Sequence, residues 1–348
     1  MRIPRVVALA YQQDGLITRR QALAAGATVD AIRHALSSGR WQVVVPRVYA
    51  TFAGPVGRIH LLRAAILHSG PESLITGAAA CTMAGLRYVP ATTGNVVDTL
   101  VPADRRPGDA GHVRINRTSR LPEPVWWVDD SSPDAAADLD RAPPWWISGD
   151  TLAPTARRWT LPMAPPARAV IDAVRFRVVH DSQPGKPWRG HQLLQDTRAL
   201  LCEVVQRRQC SVGDLMAELE AAPRAGTATI TKAIDDVRAG CRSAPECDLR
   251  DLVRSCRSLP EPRWNRPLPD DPTLIPDACW PEAKLVVEVD SVEWHQFGNA
   301  PDTTARRHAR YAALGWRVFP VSPYRLRHDA AQVRRELMAA YRSGLGRA

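Results

Sequence analysis

The spacing of apolar residues changes along the chain and predicts its elements. In RRQALAAG and VDAIRHALSSG apolar positions recur at helical spacing, Ile32, Ala35 and Leu36 in the second run. Thr18 and Thr28 stand where N-caps belong, and Gly26 and Gly39 where helices stop. WQVVV and VYATF, broken at Pro46, are β-rich and predict a two-stranded hairpin. Helical spacing then predicts RIHLLRAAILHSG and SLITGAAACTMAGL as helices, and NVVDTLVP and HVRINRT read as strands. From 129 to 165 periodicity gives way to Asp, Pro and Ala, with Trp126-Trp127 and Trp145-Trp146 as apolar anchors, which predicts a long excursion. Helices resume at PPARAVIDAVRF, TRALLCEVVQRR, SVGDLMAELEAA and TATITKAIDDVRAG. The last segment reads helix (SAPECDLRDLVRSC), strands (PRWNRPL, LIPDACW, KLVVEVDS), helix (TTARRHARYAALG), strand (WRVFPVS) and helix (DAAQVRRELMAAYRSG).

These patterns divide the 348 residues into three regions. Residues 1–55 follow the plan of a winged helix-turn-helix. Residues 56–240 form a mixed, mostly helical middle containing the 129–165 excursion. Residues 241–348 run αβββαβα, the core order of restriction-endonuclease-like folds. The fold class expected is therefore a mixed α+β, multidomain protein. No apolar run approaches the roughly 18 residues of a membrane span. The first fifteen residues hold too short an apolar stretch for a signal peptide. A soluble cytoplasmic protein is expected.

Charge sharpens this picture. The net charge is +10, and it lies at the two ends: residues 1–63 and 302–348 each carry +7. Basic ends point to an acidic partner, DNA first. Arg33 and His34 on the second helix are placed for a groove, and Arg40 and Arg47 in the wing for phosphates. A winged helix used for protein contacts is the alternative. The seven cysteines show no C-x-x-C spacing, so neither a disulfide framework nor a zinc ribbon is expected. His60 and His68 share a helix without acidic or cysteinyl company and read as helix-surface residues.

Candidate chemistry concentrates near the C-terminus. Strand alternation places Glu288 and Asp290 on one face, with Val287 and Val289 on the other. The short PEA turn brings Asp277 of the preceding strand beside them, and Glu246 stands one turn into the preceding helix. Converging carboxylates repel unless a cation intervenes, and hard oxygen ligands suit Mg²⁺, with Mn²⁺ as a substitute. Such an ion polarises a phosphodiester and activates water. His295, five residues after Asp290, is the nearby group able to exchange protons at neutral pH. Arg306 and Arg307, on the following helix, are further candidate DNA contacts; alternatively, they are ion-pair partners of Glu288 and Asp290.

Two family resemblances accompany these readings. DGLITRRQALAAGATVDAIRHALSSGRWQVVVPRVYAT, residues 14–51, resembles the N-terminal winged helix of AbiEi-family antitoxins. That likeness implies DNA binding, operon autorepression and a cognate toxin as candidate partner. SAPECDLRDLVRS, PDACWPEAKLVVEVDSVEWH and RRHARYAALGWRVFPVSPYRL resemble the Vsr-like domain of the PD-(D/E)XK superfamily, related to very-short-patch repair endonucleases, over about 100 residues. That likeness implies a magnesium ligand at Asp277, with Asp290 and Glu246 at family positions and His295 acting at the scissile phosphate. The sequence departs from the family at Ser291, where glycine is usual, and at Asp290, which replaces the motif lysine; Lys284 reads as lying on the same strand face but six residues away, too far to stand in. Two functions follow: a metal-dependent DNA endonuclease targeted by its winged helix, with Asp277, Glu288 and Asp290 as metal ligands and Glu246 and His295 completing the site, or an antitoxin-like repressor with a catalytically inactive nuclease fold.

Overall fold

The computed structural model describes residues 3–90, 95–128, 160–180, 188–289 and 300–346, with the side chains of 188–189 and 300–303 outside the description. It is a mixed α+β protein, with thirteen helices and three sheets among the described residues. None of those helices is long and apolar enough to cross a membrane. The chain forms two compact units, Met1–Pro187 with Arg208–Ile230, and Trp188–Arg207 with Thr231–Ala348.

The first unit opens with α1 (Pro4–Gln12), β1 (Leu16–Thr18), α2 (Arg19–Ala24), α3 (Val29–Ser37), β2 (Gln42–Val45) and β3 (Val48–Ala50). Thr18 caps α2 through a reciprocal box with Gln21, and the Thr28 hydroxyl accepts the Ala31 N–H at 3.1 Å. Gly26 and Gly39 end their helices at positive φ. Arg47, φ 69°, turns the β2–β3 hairpin, and β1 completes an antiparallel sheet in the order β1-β3-β2. Val6, Leu9, Ile17, Ala22, Ile32 and Tyr49 form the core beneath it. The apolar pattern shows neither α1 nor β1, because each is short and its packing partner lies elsewhere in sequence.

The unit continues with α4 (Arg58–Ser69), β4 (Leu74–Thr76), α5 (Gly77–Met83), β5 (Val97–Pro102), β6 (Val113–Thr118), β7 (Val125–Val128), β8 (Thr160–Met163) and α6 (Pro166–His180). The five strands make a mixed sheet ordered β6-β5-β4-β8-β7. Two sequence expectations change here. Leu74–Thr76, read as the start of a helix, is a buried strand, and Gly77 at φ 62° makes the turn into α5. Residues 160–163, read as part of the excursion, pair antiparallel with β7, Trp127 opposite Leu161. Arg63, fully buried on α4, bonds Asp14 at 2.8 Å and the Thr160 carbonyl at 2.7 Å, tying the N-terminal elements to this sheet. The next helix, α7 (Trp188–Gln206), belongs to the second unit, and α8 (Val212–Glu220) returns to the first.

The second unit takes most of α9 (Ala228–Arg238), from Thr231 onward, and adds α10 (Ala244–Arg254), β9 (Arg263–Trp264), β10 (Ala278–Trp280), β11 (Leu285–Val289), α11 (Ala300–Ala313), β12 (Arg317–Val321), α12 (Pro323–His328) and α13 (Ala330–Leu345). Its sheet runs β12-β11-β10-β9, with only β11 and β12 parallel. Alternation sorts the strands between two layers. Ala278, Trp280, Leu285, Val287 and Val321 pack with Leu249 and Val253 of α10 and Leu337 of α13. Cys279 and Val286 face Tyr311 of α11 and Trp316. The first two strands are shorter than PRWNRPL and LIPDACW suggest, since Pro267 and Pro276 have no N–H for a ladder. Asp277 consequently stands one residue before β10 rather than within it. The sequence also hides α12, because Ser322-Pro323 reads as a strand end. Ser322 is instead its N-cap, accepting the Arg325 N–H at 3.2 Å, and Pro323 fills the first turn.

Candidate active site

The end of β11 gathers acids from three elements. Ala278 pairs with Val287, and continuing that antiparallel register sets Asp277 opposite Glu288. Both belong to the face that looks toward α11. The Asp277 Oδ2 atom accepts the Val289 N–H at 2.7 Å, which fixes the carboxylate across the strand pair. Its Oδ1 takes no partner among the described residues.

Glu246 comes from the first turn of α10. Its Oε1 accepts the Ser243 hydroxyl and its Oε2 the Arg242 N–H, each at 2.9 Å, so the helix cap holds the side chain. Asn265 joins this acid to the strand. Its side-chain amide donates to Glu246 Oε2 at 2.9 Å while its backbone N–H donates to the Asp277 carbonyl at 3.1 Å. Asn265 adopts φ 48°, a conformation asparagine tolerates better than most residues.

Glu288 is buried, 8% exposed. Its Oε1 accepts the Tyr311 hydroxyl at 2.5 Å and Arg307 Nη2 at 2.9 Å. Of the two arginines read as ion-pair partners, Arg307 therefore meets Glu288, while Arg306 is exposed. Burial pushes the Asp277 carboxyl up to about 8; the charges of Glu246 and Glu288 push the same way, against the Val289 N–H and Arg307. Burial, then the bond to Glu288, also raises the Tyr311 phenol.

Asp290 and His295 lie outside the described residues. Lys284 is a turn residue at φ 44°, not a strand residue sharing a face with Glu288. Its ammonium bonds Asp270 at 2.6 Å and lies 4.9 Å from the centre of the Trp316 ring. Among the described residues no group of three or more His, Cys, Asp or Glu side chains is arranged to hold a metal ion. Asp277 and Glu288 nevertheless offer the donor set Mg²⁺ takes from proteins, one or two carboxylates with water and phosphate completing the shell.

In the first unit, Arg33, His34, Arg40 and Arg47 are all exposed. Arg33 pairs with Asp30 at 2.5 Å on the surface of α3, Arg40 Nε donates to Ser38 at 3.1 Å, and Arg47 occupies the hairpin turn. All seven cysteines are free thiols. His60 and His68 are half-buried and bond backbone, at Gly57 N and Gly108 O. Sequence reasoning missed Asn265 and Tyr311. The four-residue spacing from Arg307 to Tyr311 was a visible sign that both share a helix face; Asn265 carried no signal.

No family model and no curated protein matches the chain. Among solved structures, the crystal structure of the RV2827C protein from Mycobacterium tuberculosis is similar with a TM-score of 0.38 and 16% identity, over 74% of this chain and 82% of that one.

Proposed function

We propose that this chain is a DNA-binding protein whose second unit hydrolyses phosphodiester bonds with a bound divalent cation, Mg²⁺ or Mn²⁺. The observation that carries the reading is the convergence of Asp277, Glu288 and Glu246 at one sheet end, with Arg307 as the cation facing them among the described residues. Burying that much negative charge costs stability unless a proton or metal ion compensates it. In this reading residues 1–55 are a winged helix-turn-helix, and the second unit is a restriction-endonuclease-like domain of the Vsr type. Asp277 and Glu288 would hold the cation, with Asp290 as a third donor. When bound, it supplies Lewis acidity and a more acidic water. Glu246 orients the Asp277 segment through Asn265. His295 is assigned the proton of the attacking water. Arg33, His34, Arg40 and Arg47 hold the duplex.

The second reading, an antitoxin-like repressor with a retired nuclease fold and a cognate toxin, draws on the Glu288 contacts. Arg307 and Tyr311 already bond that carboxylate, and Asp290 stands where the family places lysine. A plasmid-nicking assay with Mg²⁺ or Mn²⁺ separates the two. Hydrolysis should be lost in Asp277→Asn with duplex affinity retained, and slowed roughly 10²–10⁴-fold in His295→Ala. Metal-independent DNA binding without cleavage under either ion would leave the repressor reading.

A further inference from the structure

Arg307 is held more tightly than a neutralising arginine requires. Its side chain rises from α11 and reaches three anchors. Nε donates to the Tyr311 hydroxyl at 3.2 Å, and Nη2 donates to Glu288 Oε1 at 2.9 Å and to the Ile275 carbonyl at 2.5 Å. Tyr311 in turn donates to the same Glu288 oxygen. The guanidinium plane is thus set by a phenol, a carboxylate and a main-chain carbonyl from three separate segments. Glu288 is nearly enclosed, with 10% of its side chain exposed, yet 41% of the Arg307 side chain remains open to solvent. Nη1 takes no partner among the described residues. With Nε and Nη2 so engaged, the guanidinium holds Nη1 in a fixed place as a charged donor for a single phosphate oxygen. A phosphodiester brought to Asp277 and Glu288 would add negative charge to an acidic cluster. Lys284 cannot relieve it, since its ammonium is engaged with Asp270.

We infer that Arg307 is the phosphate anchor of this site, donating from Nη1 to a non-bridging oxygen of the phosphodiester while Glu288, Tyr311 and Ile275 hold its other edge. The inference rests on the hydrolytic reading for its place in a reaction, but its contact with phosphate is measurable without turnover. Glu288 then has two tasks, as cation ligand and as orienting group for Arg307. Tyr311 is a positioning residue acting through both.

The test uses the full chain and two readouts. One is the affinity for thymidylyl-(3′→5′)-thymidine, a minimal phosphodiester, by calorimetry in Ca²⁺. The other is plasmid nicking in Mg²⁺. Arg307→Gln should weaken dinucleotide binding roughly tenfold or more, the worth of a charge-assisted bond, and slow nicking at least as much. Arg307→Lys, which keeps the charge but not the anchored planar group, should recover part of each; it also serves if the Gln variant fails to fold. A Tyr311→Phe chain should fall between wild type and Arg307→Gln in both. Unchanged binding and nicking in folded Arg307→Gln, or in Arg307→Lys where only that variant folds, overturns the anchor and leaves the hydrolase reading standing. Dinucleotide binding that depends on Arg307 without any nicking supports the anchor and removes the hydrolase. Absence of both binding and nicking in the wild-type chain overturns both.

Discussion

Helix α10 contributes acids to two clusters in the same unit, and they are compensated to different degrees. Toward α7 and α9, Asp248 and Asp251 join Asp236 around Arg198, which is 1% exposed. Arg198 bonds all three, and Lys232 adds a second cation at 2.9 Å from Asp251. Burial opposes ionisation there; at Asp251 bonds from Arg198 and Lys232 outweigh it and hold the carboxyl below its usual range, whereas at Asp248 burial outweighs Gln195 and Arg198 and raises the carboxyl. At the N-terminal end of the same helix, Glu246 faces Asp277 and Glu288 with one arginine among the described residues, itself partly open to water. There burial prevails, and Asp277 is pushed up to about 8. Among the described residues, two cations against three acids make a clamp between helices, and one against three at the sheet end leaves a demand that a proton or metal ion can fill. Residue type alone does not separate structural acids from candidate functional ones. The supply of fixed positive charge does.

The comparison breaks most readily at Arg198. Arg198→Met should cost about 3–5 kcal/mol, because it leaves the buried Asp236 beside Asp248 and Asp251 with Lys232 as its remaining close cation. Chemical denaturation would show it as a lower midpoint with an unchanged slope. A loss under about 1 kcal/mol, the worth of a surface pair, would deny the clamp.

The opposite sign is expected at Asp277. Its folded value of about 8 lies above the roughly 3.9 of an unfolded aspartate, so between these the folded state holds a proton that the unfolded state has released. Stability from this group therefore falls as pH rises from about 4 to 8 and levels off above. Asp277→Asn should flatten that slope and make the protein more stable than wild type at pH 8.5, read from paired melts at pH 5 and 8.5. A mutant less stable at both would show Asp277 acting as a clamp residue.

Smaller again is the effect of the ion itself. At pH 8.5 and ten times its dissociation constant, Mg²⁺ should add about 1.4 kcal/mol to wild-type stability and nothing to Asp277→Asn, while the Arg198 cluster should not respond. The smallest effect concerns the other unit. Arg40→Ala with Arg47→Ala should lower the salt slope of duplex binding by up to about 0.9 for each phosphate that an arginine no longer neutralises. An unchanged slope would remove the hairpin from the DNA interface.

What the sequence made legible follows from distance along the chain. The Thr18 and Thr28 caps, the hairpin at Pro46 and the Asp277–Glu288 pairing depend on neighbours within about a dozen residues, and their patterns announce them. Leu74–Thr76 was hidden because a three-residue apolar run fits helix and strand equally, and its partners lie at Thr99 and Met163. The Arg198 clamp was invisible because its acids stand 38 to 53 residues away. Asn265 could not be foreseen, since its role arises only when α10 and the β9 strand end meet. Lys284 misled the reading because the left-handed turn at that residue, which keeps it out of β11, leaves no mark in a run of valines.

The claim that the acidic cluster takes up a divalent cation in place of a proton is tested most directly by calorimetric Mg²⁺ titration at pH 7 in buffers of different ionisation enthalpy. Binding should release close to one proton per ion in the wild-type protein, because Asp277 is largely protonated there. Asp277→Asn should neither bind the ion nor release a proton. Saturable Mg²⁺ binding with no proton released, or binding that survives Asp277→Asn, would contradict it.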